Sequence, residues 1–285
     1  MLRVALPNKG RLSEDVRELF SDAGLEVRAH GERALLASLG GEFEAILVRA
    51  RDIPEFVADG AADVGVTGWD LVRESGRDLG MLLDLEFGGC RLVVAARDDS
   101  GIATLEDITD APRVATVFPN LARQFFARAG RPVTIVPVSG ATEIAPHLGI
   151  ADIIVDLTSS GSTLRVHQLH EVATVLESSA RLIASPTPAA AAERAASELA
   201  AALSSVLRAR DKRYVMANVP RVALESVRRV MPGVNGPTVI DILDGDQFVA
   251  VHAVVAQSAI YRTIADLKSL GAQGILVTRI ERLMP

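Results

Sequence analysis

No stretch of this chain approaches the roughly 20 uninterrupted apolar residues that a membrane-crossing helix needs, although 49% of its 285 residues are hydrophobic. Polar groups break every strand-like run, so a soluble protein without a membrane partner is expected. Cysteine is nearly absent. Cys90 stands alone, which excludes an internal disulfide and any cysteine-cluster metal site, and its expected role is a small packed thiol. Positive charge is also short: the net charge is −6, whereas a nucleic-acid platform carries a basic face. An anionic ligand would therefore need local basic groups, and Lys9, Arg11, Arg49 and Arg51 each follow a strand-like segment. The histidines, His30, His147, His167, His170 and His252, show no metal-ligand spacing, and the His167/His170 pair reads as surface. No Ser/His/Asp or Cys/His set is legible. No basic-then-apolar leader precedes the strand Leu2 to Leu6, and the expected location is the cytoplasm.

What is present is regular alternation. Strand-like runs at 3–6, 45–49, 63–66 and 80–85 alternate with helical segments near 12–22, 53–59 and 68–74, with a hairpin over 25–38. A second unit reads as strands at 91–96, 113–117, 133–138 and 152–156 and helices near 120–129, 142–148 and 163–169. Thr104 and Asp107 look like a capping box, and strands at 172–176 and 181–184 are expected to lead back to the first unit. After Pro186 and Pro188 an Ala-rich helix carries Leu199, Leu203 and Leu207 as a packing stripe. The last 75 or so residues read as βαββαβ, the ferredoxin-like order. The fold class is thus α/β: a two-lobed core resembling periplasmic binding proteins, with lobe I over 1–90 completed by 180–210, lobe II over 91–179, and a C-terminal ferredoxin-like domain over 211–285. Ligands of such sheets bind beyond the carboxyl ends of the strands.

The densest chemistry lies in DIIVDLTSSGSTL, Asp152 to Leu164. Ile153, Ile154 and Val155 form a buried strand that delivers Asp156. Thr158, Ser159, Ser160, Gly161, Ser162 and Thr163 then surround a glycine with hydroxyls, and Leu164 opens a helix. Backbone N–H groups, hydroxyls and the positive helix end converge there, which suits a phosphate. An ordinary strand-to-helix turn with a hydroxyl cap is the plainer reading. Glu143 stands thirteen residues before Asp156, and its plainer reading is a first-turn helix acid.

The string from Glu143 to Leu164 resembles the signature of the ATP phosphoribosyltransferases, which open histidine biosynthesis: Glu143, Gly149, Asp156, Ser160, Gly161, Thr163 and Leu164 fall at the family's spacing. RVALPNKGRL near the start and KRYVMANVP, GPTVIDI and LGAQGILV near the end resemble the long form. The resemblance implies transfer of the phosphoribosyl group of phosphoribosyl pyrophosphate to N1 of the ATP adenine, with pyrophosphate expelled. It assigns Asp156 and Glu143 to the ribose, residues 158–163 to the 5′-phosphate, and Lys9, Arg11, Arg49, Asp70 and Phe118 to ATP. For Asp70 an N-cap role, shared with Thr67, competes. Phe118 stands where the family often has tyrosine, and Ala50 where it often has proline, which weakens Arg51. Mg2+ carried mainly by substrate is implied, with no protein metal ligands. The terminal domain would bind histidine as inhibitor, with Asn218 and Thr238 near the effector, and the assembly would be a homo-oligomeric dimer or hexamer.

Three other readings compete. A solute-binding module shares the alternation but has little use for a phosphate nest beside two carboxylates. A phosphoribosyltransferase for another base would carry paired acids inside its phosphate loop, which DLTSSGST lacks. A histidine-responsive binding protein without catalysis would need the first 210 residues to have lost activity.

Overall fold

The computed structural model describes residues 1–29, 31, 34–109, 111–186, 190–234, 236–243 and 247–284. His30 and Pro188 lie outside the described residues. The first lobe runs β1 (Arg3–Pro7), α1 (Arg11–Asp22), β2 (Val27–Ala29), β3 (Leu36–Leu39), β4 (Phe43–Val48), α2 (Ile53–Ala58), β5 (Val64–Gly68), α3 (Trp69–Ser75) and β6 (Gly80–Asp84). Val16, Leu19 and Phe20 give α1 its buried stripe, the i, i+3, i+4 spacing of one helical face. The second lobe runs β7 (Cys90–Arg97), β8 (Arg113–Thr116), α4 (Pro119–Arg128), β9 (Thr134–Pro137), β10 (Ile153–Thr158), α5 (Ser162–Val166) and β11 (Leu169–Ser178). The chain then returns through β12 (Ala180–Ala184) to α6 (Ala190–Arg210).

The first sheet has the order β2-β3-β4-β1-β5-β12-β6, and the second β11-β7-β10-β8-β9. In the second, alternate residues feed two cores: Leu92, Val94, Ile153 and Val155 face one, and Val93, Ala95 and Ile154 face the other. A strand covered on both faces must be apolar throughout, which is why Ile153 to Val155 reads as a continuous run. The lobes are joined by segments 85–89 and 178–179, held side by side where Leu85 N–H donates to the Ala180 carbonyl and Ala180 N–H to the Phe87 carbonyl, each at 3.0 Å.

Three expectations shift. Residues 172–176 belong to β11 in the second sheet, and only β12 carries the chain back, pairing antiparallel with β5. The helix expected over 142–148 is a single 3-10 turn, Thr142–Ile144, followed by turns; Pro146 lacks the N–H that would continue a helical ladder. The helix after the hydroxyl loop ends at Val166. The Thr104–Asp107 capping box is formed.

By its contacts the chain divides into two compact units, Met1–Ala201 and Ala202–Pro285, with the division inside α6. The second unit adds β13 (Lys212–Pro220), α7 (Leu224–Val230), β14 (Thr238–Asp241), β15 (Phe248–Ala256), α8 (Ile260–Ser269) and β16 (Gln273–Arg279). Its antiparallel sheet has the order β14-β15-β13-β16, the ferredoxin-like arrangement. Val215, Ala217, Val219, Val249 and Val251 form its core with Val227 and Leu267 of the helices. Among the described residues no helix is long and apolar enough to cross a membrane.

Candidate active site

The carboxyl half of β10 and the turn behind it build one wall of a cavity of about 170 Å3, lined by Leu157, the six residues Thr158 to Thr163, Cys90 and Arg11. Gly161 sits at φ +72°, a left-handed conformation that costs any other common residue roughly 1–2 kcal/mol. That twist turns the chain from β10 into α5. The Thr158 hydroxyl points inward and accepts the Gly161 N–H at 2.9 Å, so it shapes the loop and spends that donor internally. Ser160 and Ser162 share a hydroxyl contact of 3.0 Å, and Arg165 braces the outer side by donating to the Ser160 carbonyl at 3.3 Å. Ser159, Ser160, Ser162 and Thr163 are exposed. The helix dipole expected here is modest, because α5 has five residues.

Asp156 is half-buried beside this loop. One carboxylate oxygen accepts the Leu157 N–H at 2.8 Å, and the nearby Thr142 hydroxyl also favours the charged form. Burial, opposed by these two groups and aided by the negative charge of Glu143, raises its pKa above the ordinary 3.8. The 3-10 turn thus brings Glu143 and Thr142 to the strand that carries Asp156. Thr142 had no place in the sequence reading; its position next to Glu143 was the available signal.

On the first lobe, Pro7 at the end of β1 pairs with Val48 at the end of β4, and the Asn8 N–H donates to the Val48 carbonyl at 2.8 Å. Lys9 and Arg49 follow at neighbouring strand ends, and Arg11 opens α1. All three are exposed, and Arg51 is exposed one turn on. Thr67 at the end of β5 donates to the Ala50 carbonyl at 2.7 Å, tying this basic loop to the next strand. Arg11, expected with ATP, lines the cavity of the hydroxyl loop.

The chain is similar over its whole length to proteins of one activity. Residues 49–205 match the family model for ATP phosphoribosyltransferase, and residues 209–282 match that for the HisG C-terminal domain. The chain belongs to the ATP phosphoribosyltransferase family. It is 68% identical to the ATP phosphoribosyltransferase of Gemmatimonas aurantiaca, with both chains covered in full. It is 51% identical to that of Haloarcula marismortui, over 99% of this chain and 100% of the relative. A solved structure of the ATP phosphoribosyl transferase (HisG:HisZ) complex from Thermotoga maritima superposes with a TM-score of 0.64 at 28% identity, covering 73% of this chain and 99% of that one.

Two residues carried over from the ATP phosphoribosyltransferase pattern are placed otherwise than expected. Phe118 is 3% exposed and packs among Leu121, Phe126 and Ile153, so its ring is a core group and offers no free face for stacking. Asp70 is 5% exposed and accepts the Ser178 hydroxyl at 2.6 Å; neither it nor Thr67 caps α3, whose cap residue is Gly68. Burial raises the Asp70 pKa, partly offset by Ser178 and by the charge of Arg11. Cys90 lines the cavity, and burial, with the Asp70 charge, pushes its thiol pKa up. No local pattern marks Cys90 or Ser178, which meet only through the β7–β11 ladder.

Of the histidines, His147 contacts the His167 carbonyl at 2.7 Å. His170, expected at the surface, is half-buried and lies 2.7 Å from the Ile102 carbonyl and 3.2 Å from Asp98. In the C-terminal unit, Asn218 pairs with Ala250 and Thr238 with His252. Directly paired residues share a face, so both point to the sheet face opposite the helices. Strand β15 separates them.

Proposed function

We propose that this chain transfers the phosphoribosyl group of phosphoribosyl pyrophosphate to N1 of the ATP adenine, releasing pyrophosphate and forming phosphoribosyl-ATP, the first step of histidine biosynthesis. The observation that carries this reading is the meeting of Asp156 with Glu143 at the foot of a hydroxyl loop whose cavity Arg11 lines, in a chain of this family. The N1 lone pair forms the new bond to C1 of the ribose while the bond from C1 to pyrophosphate breaks and its electrons leave with pyrophosphate. No strong base is needed before attack, so catalysis is mainly positioning and electrostatics.

Asp156 and Glu143 take the ribose hydroxyls and set negative charge beside the sugar as it gains cationic character. A carboxylate that burial disfavours in its charged form, as for Asp156, gains most from a cation arriving next to it. Residues 158–163 cradle the 5′-phosphate. Lys9, Arg49 and Arg11 form no ion pair among the described residues, so their charge is available to the polyphosphates of the two substrates. Mg2+, when bound, would supply neutralisation of the leaving group. It would be held mainly by substrate oxygens and water, the usual habit of magnesium.

The C-terminal unit is the site of histidine inhibition in this reading, and the chain works as a homo-oligomer, dimer or hexamer, in the cytoplasm. Incubation with ATP, phosphoribosyl pyrophosphate and Mg2+ tests the core claim. An ultraviolet-absorbing adduct of the mass of phosphoribosyl-ATP is expected, with one pyrophosphate per adduct; pyrophosphate release without ATP consumption would refute it.

A further inference from the structure

Asp70 is held too deeply to serve a nucleotide, and what holds it is specific. The Ser178 hydroxyl donates to its Oδ1 at 2.6 Å, while the Asp70 N–H donates to the same hydroxyl oxygen at 2.9 Å. The hydroxyl's donor and one lone pair are both spent on one residue 108 positions away. A Cβ at Gly68 would collide with that carboxylate oxygen, so glycine is what lets Asp70 fold back over the end of β5. The Trp69 N–H donates to the Ser179 carbonyl at 3.0 Å, which clamps the start of α3 onto the strand linking the lobes.

From Ser178 the contacts run toward the cavity. Ser178 is paired with Cys90 in the β7–β11 ladder, and the Ser178 and Arg11 side chains both lie near enough to the Cys90 thiol to favour its charged form against the larger effect of burial. Arg11 and Cys90 line the cavity of the hydroxyl loop. In the second lobe two guanidinium groups are neutralised by direct carboxylate forks: Arg91 meets Glu171 at 2.9 Å and Arg113 meets Asp152 at 3.0 Å. Arg11 has no such partner among the described residues; the buried Asp70 acts on it through charge rather than contact. Its N–H groups stay available to an anion.

We propose that Asp70 and Ser178 are positioning residues which, without touching substrate, hold the Arg11 guanidinium toward the phosphoribosyl pyrophosphate cavity at the junction of the two lobes. This rests on the reaction proposed above. A buried carboxylate beside one hydroxyl is costly to maintain, and the burial-raised pKa of Asp70 is consistent with that cost.

The test is a double-mutant cycle on the full chain, read by steady-state kinetics. Ser178→Ala and Asp70→Asn are each expected to raise KM for phosphoribosyl pyrophosphate roughly tenfold, the loss of about one charge-assisted interaction, with kcat and KM for ATP within about twofold. Ser178→Thr, which keeps the hydroxyl, is expected to restore most of the loss. In an Arg11→Ala background neither change adds a further effect, because the group being positioned is gone. Effects that multiply with Arg11→Ala would overturn the proposal, as would a rise confined to KM for ATP, which would return Asp70 to the nucleotide. If Ser178→Ala does not fold, the near-isosteric Asp70→Asn carries the same cycle. An inactive wild-type chain would instead refute the reaction itself, a different result from an active chain with additive losses.

Discussion

Asp156 shows how one residue can trade stability for chemistry. Its surroundings disfavour the charged carboxylate, through burial first and the neighbouring Glu143 after it, and that is the form a cationic sugar needs. Because the folded-state pKa lies above the ordinary 3.8, the folded chain binds the proton more tightly than the unfolded one. Stability is therefore lost as pH rises from the unfolded value through the folded one, and the penalty is complete once pH has passed the folded value. Asp156→Asn removes it. The variant is expected to melt at a higher temperature than wild type at pH 7, with the difference shrinking toward pH 4, while kcat falls at least about tenfold. Calorimetric melts across that range and a turnover assay check the pair of effects; a lower Tm at pH 7 would show that the carboxylate stabilises the loop rather than straining it.

At the scale of elements, the start of α4 decides what Phe118 can do. Pro119 occupies the first turn, where its missing N–H costs nothing, and the Phe118 N–H is bonded to the Thr116 hydroxyl at 2.9 Å. The backbone thus turns at Phe118 with its ring directed into the core beside Phe126. Phe118→Ala is expected to destabilise the fold by roughly 3–5 kcal/mol, the usual range for emptying such a site. Phe118→Leu keeps most of the volume and is expected to leave KM for ATP within about twofold. Denaturant unfolding and ATP kinetics measure both; a large rise in KM for ATP in the stable leucine variant would restore the stacking role. The 3-10 turn at Thr142–Ile144 illustrates the same point from the other side: shorter than the helix expected there, it still brings Glu143 beside Asp156.

For the whole molecule, the division into Met1–Ala201 and Ala202–Pro285 separates the residues that carry the chemistry from a unit whose described residues show no acid–base cluster. Histidine is expected to inhibit through the second unit, with a coupling of about 1–3 kcal/mol between sites. Asn218 and Thr238 are both exposed on the same sheet face, with His252 between them on β15. Asn218→Ala is expected to raise the histidine concentration for half-inhibition by roughly tenfold while leaving uninhibited kcat unchanged. Inhibition curves on the full chain decide this, and an unchanged curve for both Asn218→Ala and Thr238→Ala would move the effector away from that face.

Much of the architecture was legible because local rules act over a few residues. The apolar run 153–155 needs two covered faces, Gly161 permits the turn after it, and the alternation from Lys212 onward admits one simple order of strands and helices. The spacing from Glu143 to Leu164 likewise lies in one stretch of chain, so its chemistry could be read in line. What only the tertiary structure decided is which side chains face each other. A strand shows alternate residues to opposite faces, and the pairing of β7 with β11 puts Cys90 against Ser178 while the crossover brings Ser178 to Asp70. No periodicity encodes such meetings, because they depend on strand order and on the path of the chain between lobes. Arg11 thereby comes to the hydroxyl loop, Asp70 becomes buried and Phe118 turns inward: the same residue types that the sequence offered, placed by packing.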